Sequence, residues 1–250
     1  MPSLVQGGEQ IAVITGASGG IGGAIAAALA ARGLSPCLTG RNAQRLQRVA
    51  EEVSAVGGRP SVVGADLASD DGIRGLAAAV LPLGRLGVLV HSAGAIRLGD
   101  VMASAWDDLD ELYRINLRAP YLLTKLLLPA LVASQGQVVF VNSSAGLRTG
   151  PENGLYAATK HALRSLADST REHVSPLGVR VLSAYPGRTA TQMQERVCAF
   201  EGKRYDPANL LQPSDVAEVV AHALMLPRTA EVTDIVVRGP RTSAGARRSR

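Results

Sequence analysis

The chain has 250 residues, 46% of them hydrophobic and 19% charged, which is typical of a globular protein with a large buried core. Five of its 26 basic residues are arginines in the last thirteen positions, and the other 21 match the 21 acidic residues, so we expect no nucleic-acid partner. The first ten residues lack a signal-peptide pattern, and no uninterrupted apolar run approaches about 18 residues, so we expect a cytoplasmic protein with no membrane span. Cys37 and Cys198 form no metal-ligand or disulfide pattern, so we expect no metal.

Short apolar runs alternate with longer segments of helical periodicity. The predicted strands are Ile11–Thr15, Pro36–Thr39, Ser61–Gly64, Leu86–His91, Gln137–Asn142, Val179–Ala184 and Thr233–Val237. The predicted helices are Gly20–Arg32, Ala43–Val56, Asp71–Leu81, Ala105–Ser134, Leu155–Ser175 and Ser214–Leu226. This alternation predicts a doubly wound α/β fold with a parallel sheet in a single domain over residues 1–240, followed by a basic, disordered tail at 241–250. The connection Arg188–Gln212 has no predicted element, and connections of that length are usually functional or disordered.

A glycine-rich turn joins the first predicted strand to the first predicted helix. Gly16, Gly20 and Gly22 have the spacing G-x-x-x-G-x-G, which differs from the commoner G-x-G-x-x-G. Glycines at such a turn let the backbone approach a pyrophosphate at the positive end of the helix. The turn therefore indicates a dinucleotide site, with a purely structural tight turn as the alternative.

The end of the second predicted strand bears on the choice of dinucleotide. A fold of this kind that takes NAD carries an acid there for the ribose 2′-hydroxyl, whereas an arginine accommodates a 2′-phosphate. Gly40 stands where the acid is expected and Arg41 follows it. We therefore expect NADP, unless Arg41 merely begins a solvated helix.

Asn116 lies four residues before Pro120 in the fifth predicted helix. Proline has no N–H, so the backbone carbonyl of Asn116 loses its helical partner and needs another donor. The sequence leaves open whether this is an ordinary proline kink or an acceptor directed into a site. His91, at the end of the fourth predicted strand, receives no catalytic role.

The segment from Ser143 to Lys160 holds a hydroxyl, a phenol and an amine. A loop rich in glycine, proline and asparagine separates Ser143 from Tyr156, and a helix then places Tyr156 and Lys160 one turn apart on one face. A nearby cation favours the phenolate, so we expect Lys160 to lower the pKa of Tyr156 from its usual value near 10. An exposed turn of helix without a function is the alternative.

In order and spacing, these features resemble the short-chain dehydrogenase/reductase family over about Ile11 to Arg238. The matching patterns are T-G-x-x-x-G-x-G, Y-x-x-x-K and Pro186-Gly187 after the sixth strand. Two positions depart from the family pattern. His91-Ser92 replaces the usual Asn-Asn before Ala93-Gly94, and Gly19 stands where some NADP-dependent members carry a basic residue, so the expectation of NADP depends mainly on Arg41.

The resemblance implies a Rossmann-like fold with a seven-stranded parallel sheet, a homo-oligomer (tetramer or dimer), and hydride transfer between NADP(H) and a carbonyl or alcohol substrate. It implies that Tyr156 is the acid/base, that Lys160 lowers its pKa and binds the nicotinamide ribose, that Ser143 rather than Ser144 polarises the carbonyl, and that the carbonyl of Asn116 holds a water of a proton relay. The implied cofactor contacts are Gly16, Ser18, Gly20, Ile21, Gly22, Arg41, Asp66, Leu67, Ala93, Gly94, Asn116, Tyr156, Lys160, Pro186, Gly187, Thr189 and Thr191.

Other functions remain open from the sequence. A non-enzymatic dinucleotide sensor or scaffold is one alternative, although such a protein would tolerate loss of the Ser, Tyr and Lys set that is complete here. A nucleic-acid binder using the arginine-rich tail and an epimerase on the same cofactor are two others. Arg188–Gln212 combines apolar residues with charged ones and names no substrate: Met193, Val197, Phe200, Arg196, Lys203 and Arg204.

Overall fold

The computed structural model describes residues 10–239, which form one seven-stranded parallel sheet with helices on both faces. The strands are β1 Gln10–Thr15, β2 Ser35–Gly40, β3 Ser61–Gly64, β4 Arg85–His91, β5 Gln137–Val141, β6 Arg180–Pro186 and β7 Asp234–Val237. The helices are α1 Gly20–Ala30, α2 Ala43–Ala55, α3 Asp70–Val80, α4 Trp106–Tyr113, α5 Ala119–Ser134, α6 Gly154–Val174, α7 Gln192–Phe200 and α8 Pro213–Leu224. The predicted fold class is confirmed, and the predicted tail at 241–250 lies outside the described residues.

The strand order is β3-β2-β1-β4-β5-β6-β7, so the direction of winding reverses between β1 and β4. Helices α1, α2 and α8 cover one face of the sheet, and α3, α5 and α6 cover the other. Along β1, Ala12 and Ile14 face the first helix layer, while Ile11 and Val13 face the second. Both faces are therefore buried, which explains why the strands are apolar runs without polar alternation.

The predicted helix Ala105–Ser134 is continuous but not regular. A π-helical turn, Arg114–Arg118, separates α4 from α5, and the N–H of Ala119 donates to the carbonyl of Arg114 five residues earlier. Pro120 follows immediately within this continuous helix and has no N–H to donate to the carbonyl of Asn116, so the wider turn lies where the regular hydrogen-bond ladder is interrupted. Asn116 lies inside this π-helical turn. The irregularity that the sequence predicts from Asn116 and Pro120 is therefore a local widening of the helix at Asn116.

Among the described residues, Trp106–Ser134 is the one helical segment whose length and composition would allow it to cross a membrane. In the fold it is a core element, since Leu112, Leu123 and Leu127 are fully buried.

The connection Arg188–Gln212 contains a helix that the sequence pattern did not predict. Thr191 caps α7, its hydroxyl accepting from the N–H of Gln194 at 3.2 Å. The two ends of the segment meet, because Ala190 N–H donates to the Leu211 carbonyl at 2.7 Å and Leu211 N–H to the Arg188 carbonyl at 3.2 Å. The absence of a predicted element here was wrong; a nine-residue helix with a short apolar stripe gives little periodic signal.

Candidate active site

A cleft of about 570 Å³ opens at the carboxyl ends of the strands, where the winding reverses between β1 and β4. This is the position at which open α/β sheets bind ligands. Most of the site residues predicted from the sequence line this cleft: Gly16, Ser18, Gly20, Ile21, Gly22, Ala93, Gly94, Ser143, Tyr156, Lys160, Pro186, Gly187, Thr189 and Thr191. Asn116, Arg41, Asp66 and Leu67 are not among its lining residues.

Two positions of the glycine turn, Gly16 and Gly22, are packed so closely that side chains are excluded there. A Cβ at Gly16, which has φ of +67°, would lie 2.7 Å from the backbone of Ala93, and a Cβ at Gly22 would lie 2.5 Å from the carbonyl oxygen of Gly16. The Thr15 hydroxyl fixes the neighbouring strand end by accepting from the N–H groups of Ser92 and Ala93 at 3.0 and 3.1 Å. The turn is therefore held against the end of β4.

The start of α1 is suited to an anionic ligand. Its N-cap residue, Gly19, provides no side-chain hydrogen bond, and the first turn carries no acidic residue. The N–H groups at this helix end thus lack a side-chain acceptor beside a cleft that Gly19 and Gly20 line. Gly94 leaves further space, since a Cβ there would lie 3.4 Å from Asn116 Oδ1 and 3.9 Å from Lys160 Nζ. These features fit a dinucleotide lying along the turn toward Lys160.

Ser143, Tyr156 and Lys160 meet at the end of β5. The Tyr156 and Ser143 side chains are hydrogen-bonded to each other, and the Ser143 hydroxyl accepts from the N–H of Ala145 at 3.1 Å. Lys160 Nζ lies 5.9 Å from the centroid of the Tyr156 ring and donates to the Val141 carbonyl at 3.3 Å. The hydroxyl partner of Tyr156 is thus the serine that the spacing favoured over Ser144.

The electrostatics differ from the sequence-based expectation. Burial raises the pKa of Tyr156, and only the hydrogen bond from Ser143 opposes this effect. Burial also lowers the pKa of Lys160 to about 8. The expectation that Lys160 lowers the pKa of Tyr156 was wrong for this structure, because the ammonium is directed to a backbone carbonyl and desolvation dominates. Tyr156 is accordingly held as a neutral phenol, the form that can donate a proton.

Asn116 lies behind Gly94 of the cleft wall and is linked to Tyr156 by hydrogen bonds. Its fully buried side chain accepts from the Ala95 N–H at 2.9 Å and donates to the Ala95 carbonyl at 3.0 Å. It also donates to the Thr159 hydroxyl at 3.1 Å, which in turn donates to the backbone carbonyl of Tyr156 at 2.8 Å. The π-helical turn, the loop after β4 and the first turn of α6 are therefore joined by one hydrogen-bonded chain. Thr159, which the sequence analysis did not single out, is its central link.

The predicted nucleotide contacts outside the cleft lie along the neighbouring strand ends. Arg41 and Asp66 are exposed after β2 and β3, and Leu67 is buried in the core. A cleft residue that the sequence did not reveal is Arg45, whose Nη1 donates to Gln192 Oε1 at 2.8 Å. That bond joins α2 to α7 across 147 residues of sequence, so no local pattern could have indicated it.

His91, to which no catalytic role was assigned, is a packed residue. It is 3% exposed, its Nε2 lies 2.8 Å from the Thr124 hydroxyl, and its ring stacks on Phe140 at 5.0 Å. Burial lowers its pKa to about 3. It is therefore neutral in the folded protein at any pH near neutrality.

Replacement of His91 by Gln is expected to remove one component of acid sensitivity. The folded state keeps His91 neutral down to about pH 3, whereas the unfolded chain takes up a proton near 6.5, so stability falls as the pH drops below 6.5. The loss is about 1.4 kcal/mol per pH unit from this group. Urea unfolding of both proteins between about pH 7 and pH 5 measures the difference in slope. If the free energy of unfolding changed with pH equally in the two proteins, the assignment of His91 as a group kept neutral by burial would be contradicted.

The chain matches known proteins over nearly its whole described length. Residues 10–202 match the family model described as short chain dehydrogenase. An uncharacterized oxidoreductase of Staphylococcus epidermidis is 31% identical over 235 residues, covering 92% of this chain and 97% of the relative. An uncharacterized short-chain type dehydrogenase/reductase of Sinorhizobium fredii is 32% identical, covering 91% and 90%.

Solved structures agree with these relatives. A metagenomic short-chain oxidoreductase in complex with NADP has a TM-score of 0.80 and 31% identity, covering 93% of this chain and 98% of that chain. An alcohol dehydrogenase from the archaeon Thermococcus sibiricus, complexed with 5-hydroxy-NADP, has a TM-score of 0.85 and 28% identity, covering 94% and 100%. With the matched family model and these relatives, this chain belongs to the short chain dehydrogenase family and is one of its Rossmann-like oxidoreductases.

Proposed function

We propose that the protein is an NADP-dependent oxidoreductase that interconverts a small carbonyl compound and the corresponding alcohol. The observation that carries the proposal is the convergence of Ser143, Tyr156 and Lys160 on one cleft that also contains the glycine turn. A hydroxyl pair for the substrate oxygen and a phosphate-binding helix end thus share one cavity.

The roles of the side chains follow from their chemistry. A bound NADP(H) supplies or accepts the hydride at the substrate carbon. Ser143 donates a hydrogen bond to the substrate oxygen, and Tyr156 passes its hydroxyl proton to that oxygen in reduction and takes one back in oxidation. Lys160, whose Nζ lies 5.9 Å from the centroid of the Tyr156 ring, contributes a donor for the cofactor ribose. Asn116 and Thr159 fix the position of Tyr156 through its backbone carbonyl.

The preference for NADP is supported by three observations. Arg41 is exposed directly after β2, and Gly40 beside it leaves no carboxylate at the strand end. A Cβ at Gly40 would lie 3.6 Å from the Ser18 hydroxyl, so the strand end and the glycine turn are adjacent. The two solved relatives described above are complexes with NADP and with 5-hydroxy-NADP.

Replacement of Arg41 by Ala is expected to raise the KM for NADPH by about tenfold or more, because a charge-assisted hydrogen bond to the 2′-phosphate is lost. The KM for NADH, which has no such phosphate, should change little. Steady-state kinetics with both cofactors checks this, with Arg74→Ala as the control, since Arg74 is an exposed arginine of α3 outside the cleft lining. Equal effects of Arg41→Ala on the two cofactors would remove the case for NADP.

We also propose that the protein forms a homo-oligomer through α4 and α5. Trp106, Leu109 and Tyr113 recur along one side of α4 and are 94%, 45% and 45% exposed, and Tyr121 of α5 is 46% exposed. Exposed apolar residues in such number support a contact with another protein surface. Light scattering of the purified protein measures the state directly.

The catalytic proposal is tested by a screen that follows NADPH oxidation with aldehydes, ketones, quinones, steroids and acyl thioesters. Turnover of at least one class, lost in the Tyr156→Phe variant, is the expected result. Tight NADPH binding without turnover of any class would favour the dinucleotide sensor instead.

A further inference from the structure

Part of the cleft has a largely apolar wall. Ile96 and Leu98 come from the loop after β4, and Met193, Val197 and Phe200 come from α7. Phe200 is 50% exposed, although it is a large aromatic side chain at the edge of a cavity. These five side chains, from two separate segments, offer a substrate apolar contact.

Two charged residues of the same wall, Arg188 and Glu201, are paired with each other. Arg188 Nη1 donates to Glu201 Oε2 at 2.8 Å, and Nη2 donates to Oε1, so the guanidinium and the carboxylate form a two-bond pair. Lys203 Nζ also donates to Glu201 Oε2, at 2.6 Å. The Glu201 side chain is only 17% exposed. One carboxylate therefore engages two cations at the edge of the cleft.

This arrangement makes the cations poorly available to a ligand. A substrate carboxylate that approached Arg188 would lie beside the carboxylate of Glu201 and be repelled by it, since Glu201 is ionised at any pH near neutrality because its two cations lower its pKa to about 2. Glu152, which also lines the cleft, is an exposed second acid. The formal charges of Arg188, Lys203, Glu152 and Glu201 sum to zero, so these four groups together give an anion no net attraction. The other cations of the lining lie elsewhere, Arg45 at Gln192 and Lys160 at Tyr156.

We propose that the cleft selects an uncharged carbonyl compound with an apolar body, and that Glu201 is the specificity-determining residue that excludes carboxylate-bearing analogues. The inference depends on the proposed carbonyl–alcohol function. It goes further in assigning a substrate class to the apolar wall and a discriminating role to the Arg188–Glu201–Lys203 cluster.

A matched pair of aldehydes tests the inference. Methyl 4-formylbenzoate and 4-formylbenzoate differ mainly in the negative charge of the free acid. For the wild-type protein with NADPH, kcat/KM for the ester is expected to exceed that for the acid by about tenfold or more, because the carboxylate would leave water without a free cation to pair with. In Glu201→Gln, Arg188 and Lys203 no longer pair with a carboxylate and should raise kcat/KM for the acid. The ratio of kcat/KM for the ester to that for the acid should therefore fall by about tenfold.

Three further measurements keep the outcomes separate. Unchanged NADPH binding shows that Glu201→Gln is folded. Glu172→Gln, the same charge change at an exposed position of α6, should leave the ratio unchanged. Adding Arg188→Ala to Glu201→Gln should reverse part of the gain with the acid.

Each contrary result has a distinct meaning. If wild-type protein reduces both aldehydes equally well, or prefers the acid, the substrate class is wrong while the catalytic proposal stands. If the wild type prefers the ester but Glu201→Gln does not narrow the ratio, the role of Glu201 is wrong. If neither aldehyde is reduced but the screen finds another accepted carbonyl class, the inference is wrong while the catalytic proposal stands. If NADPH binds and the screen finds no accepted class, the inference fails together with the carbonyl reduction on which it depends.

Discussion

Replacement of Tyr156 by Phe is expected to lower kcat by about 10²- to 10⁴-fold, the range contributed by a positioned acid or base. The substitution removes the only atom of the side chain that can give or take a proton and leaves the ring in place. Tyr156 is 8% exposed and packs with Leu112 and Ala157, so the phenyl ring should keep its position. NADPH affinity should therefore stay nearly unchanged, because the glycine turn and Lys160 are untouched.

The measurement combines single-turnover reduction of an accepted substrate with titration of NADPH fluorescence. Tyr205→Phe is the matched control, since it removes the same hydroxyl from a half-buried position outside the cleft lining. Near wild-type turnover by Tyr156→Phe would refute the assignment of the acid/base. A large loss of NADPH affinity would show instead that the hydroxyl serves mainly to hold the cofactor.

Replacement of Gly22 by Ala is expected to destabilise the protein by about 3 kcal/mol, the upper part of the range for overpacking a buried site. The new Cβ would lie 2.5 Å from the Gly16 carbonyl oxygen and 2.9 Å from its carbon. Neither atom can withdraw easily, because Gly16 itself lies against the backbone of Ala93. Relief requires the turn to move, so NADPH binding should be lost as well.

Chemical unfolding monitored by circular dichroism measures this change, together with NADPH titration of the variant. Gly75→Ala is the control, because Gly75 lies in α3 and a Cβ there would meet no atom within 4 Å. That substitution should be neutral or stabilising by up to about 1 kcal/mol, the difference between the two residues in a helix. An unfolding midpoint of Gly22→Ala equal to that of wild type would contradict the steric account.

The features that the sequence predicted well depend on local patterns. The alternation of apolar runs and helical segments is enough to predict the parallel sheet, since both faces of strands such as β1 are covered. The glycine turn and the one-turn spacing of Tyr156 and Lys160 are likewise local, and the structure brings them to one cleft.

The features that the sequence missed depend on distant contacts. The Arg45–Gln192 hydrogen bond joins two helices far apart in the chain, and the Thr159–Asn116 contact spans 43 residues. The pKa of Tyr156 was predicted in the wrong direction, because the amount of surface that packing removes from water cannot be read from a four-residue spacing. Helix α7 is short and has little periodicity of its own. Its position beside the cleft depends on the two backbone hydrogen bonds that join Leu211 to Arg188 and Ala190, here called the 188–211 bridge.

The 188–211 bridge closes the segment from Arg188 to Leu211 into a loop whose internal sequence can be replaced as a unit. Its ends are joined by two backbone hydrogen bonds, which do not depend on the identity of the side chains between them. The free-energy cost of closing such a loop increases only with the logarithm of its length, so a longer loop costs little more to close than a short one. Libraries that vary the length and sequence of α7 while keeping both anchoring positions can therefore change substrate range with little effect on the stability of the sheet below.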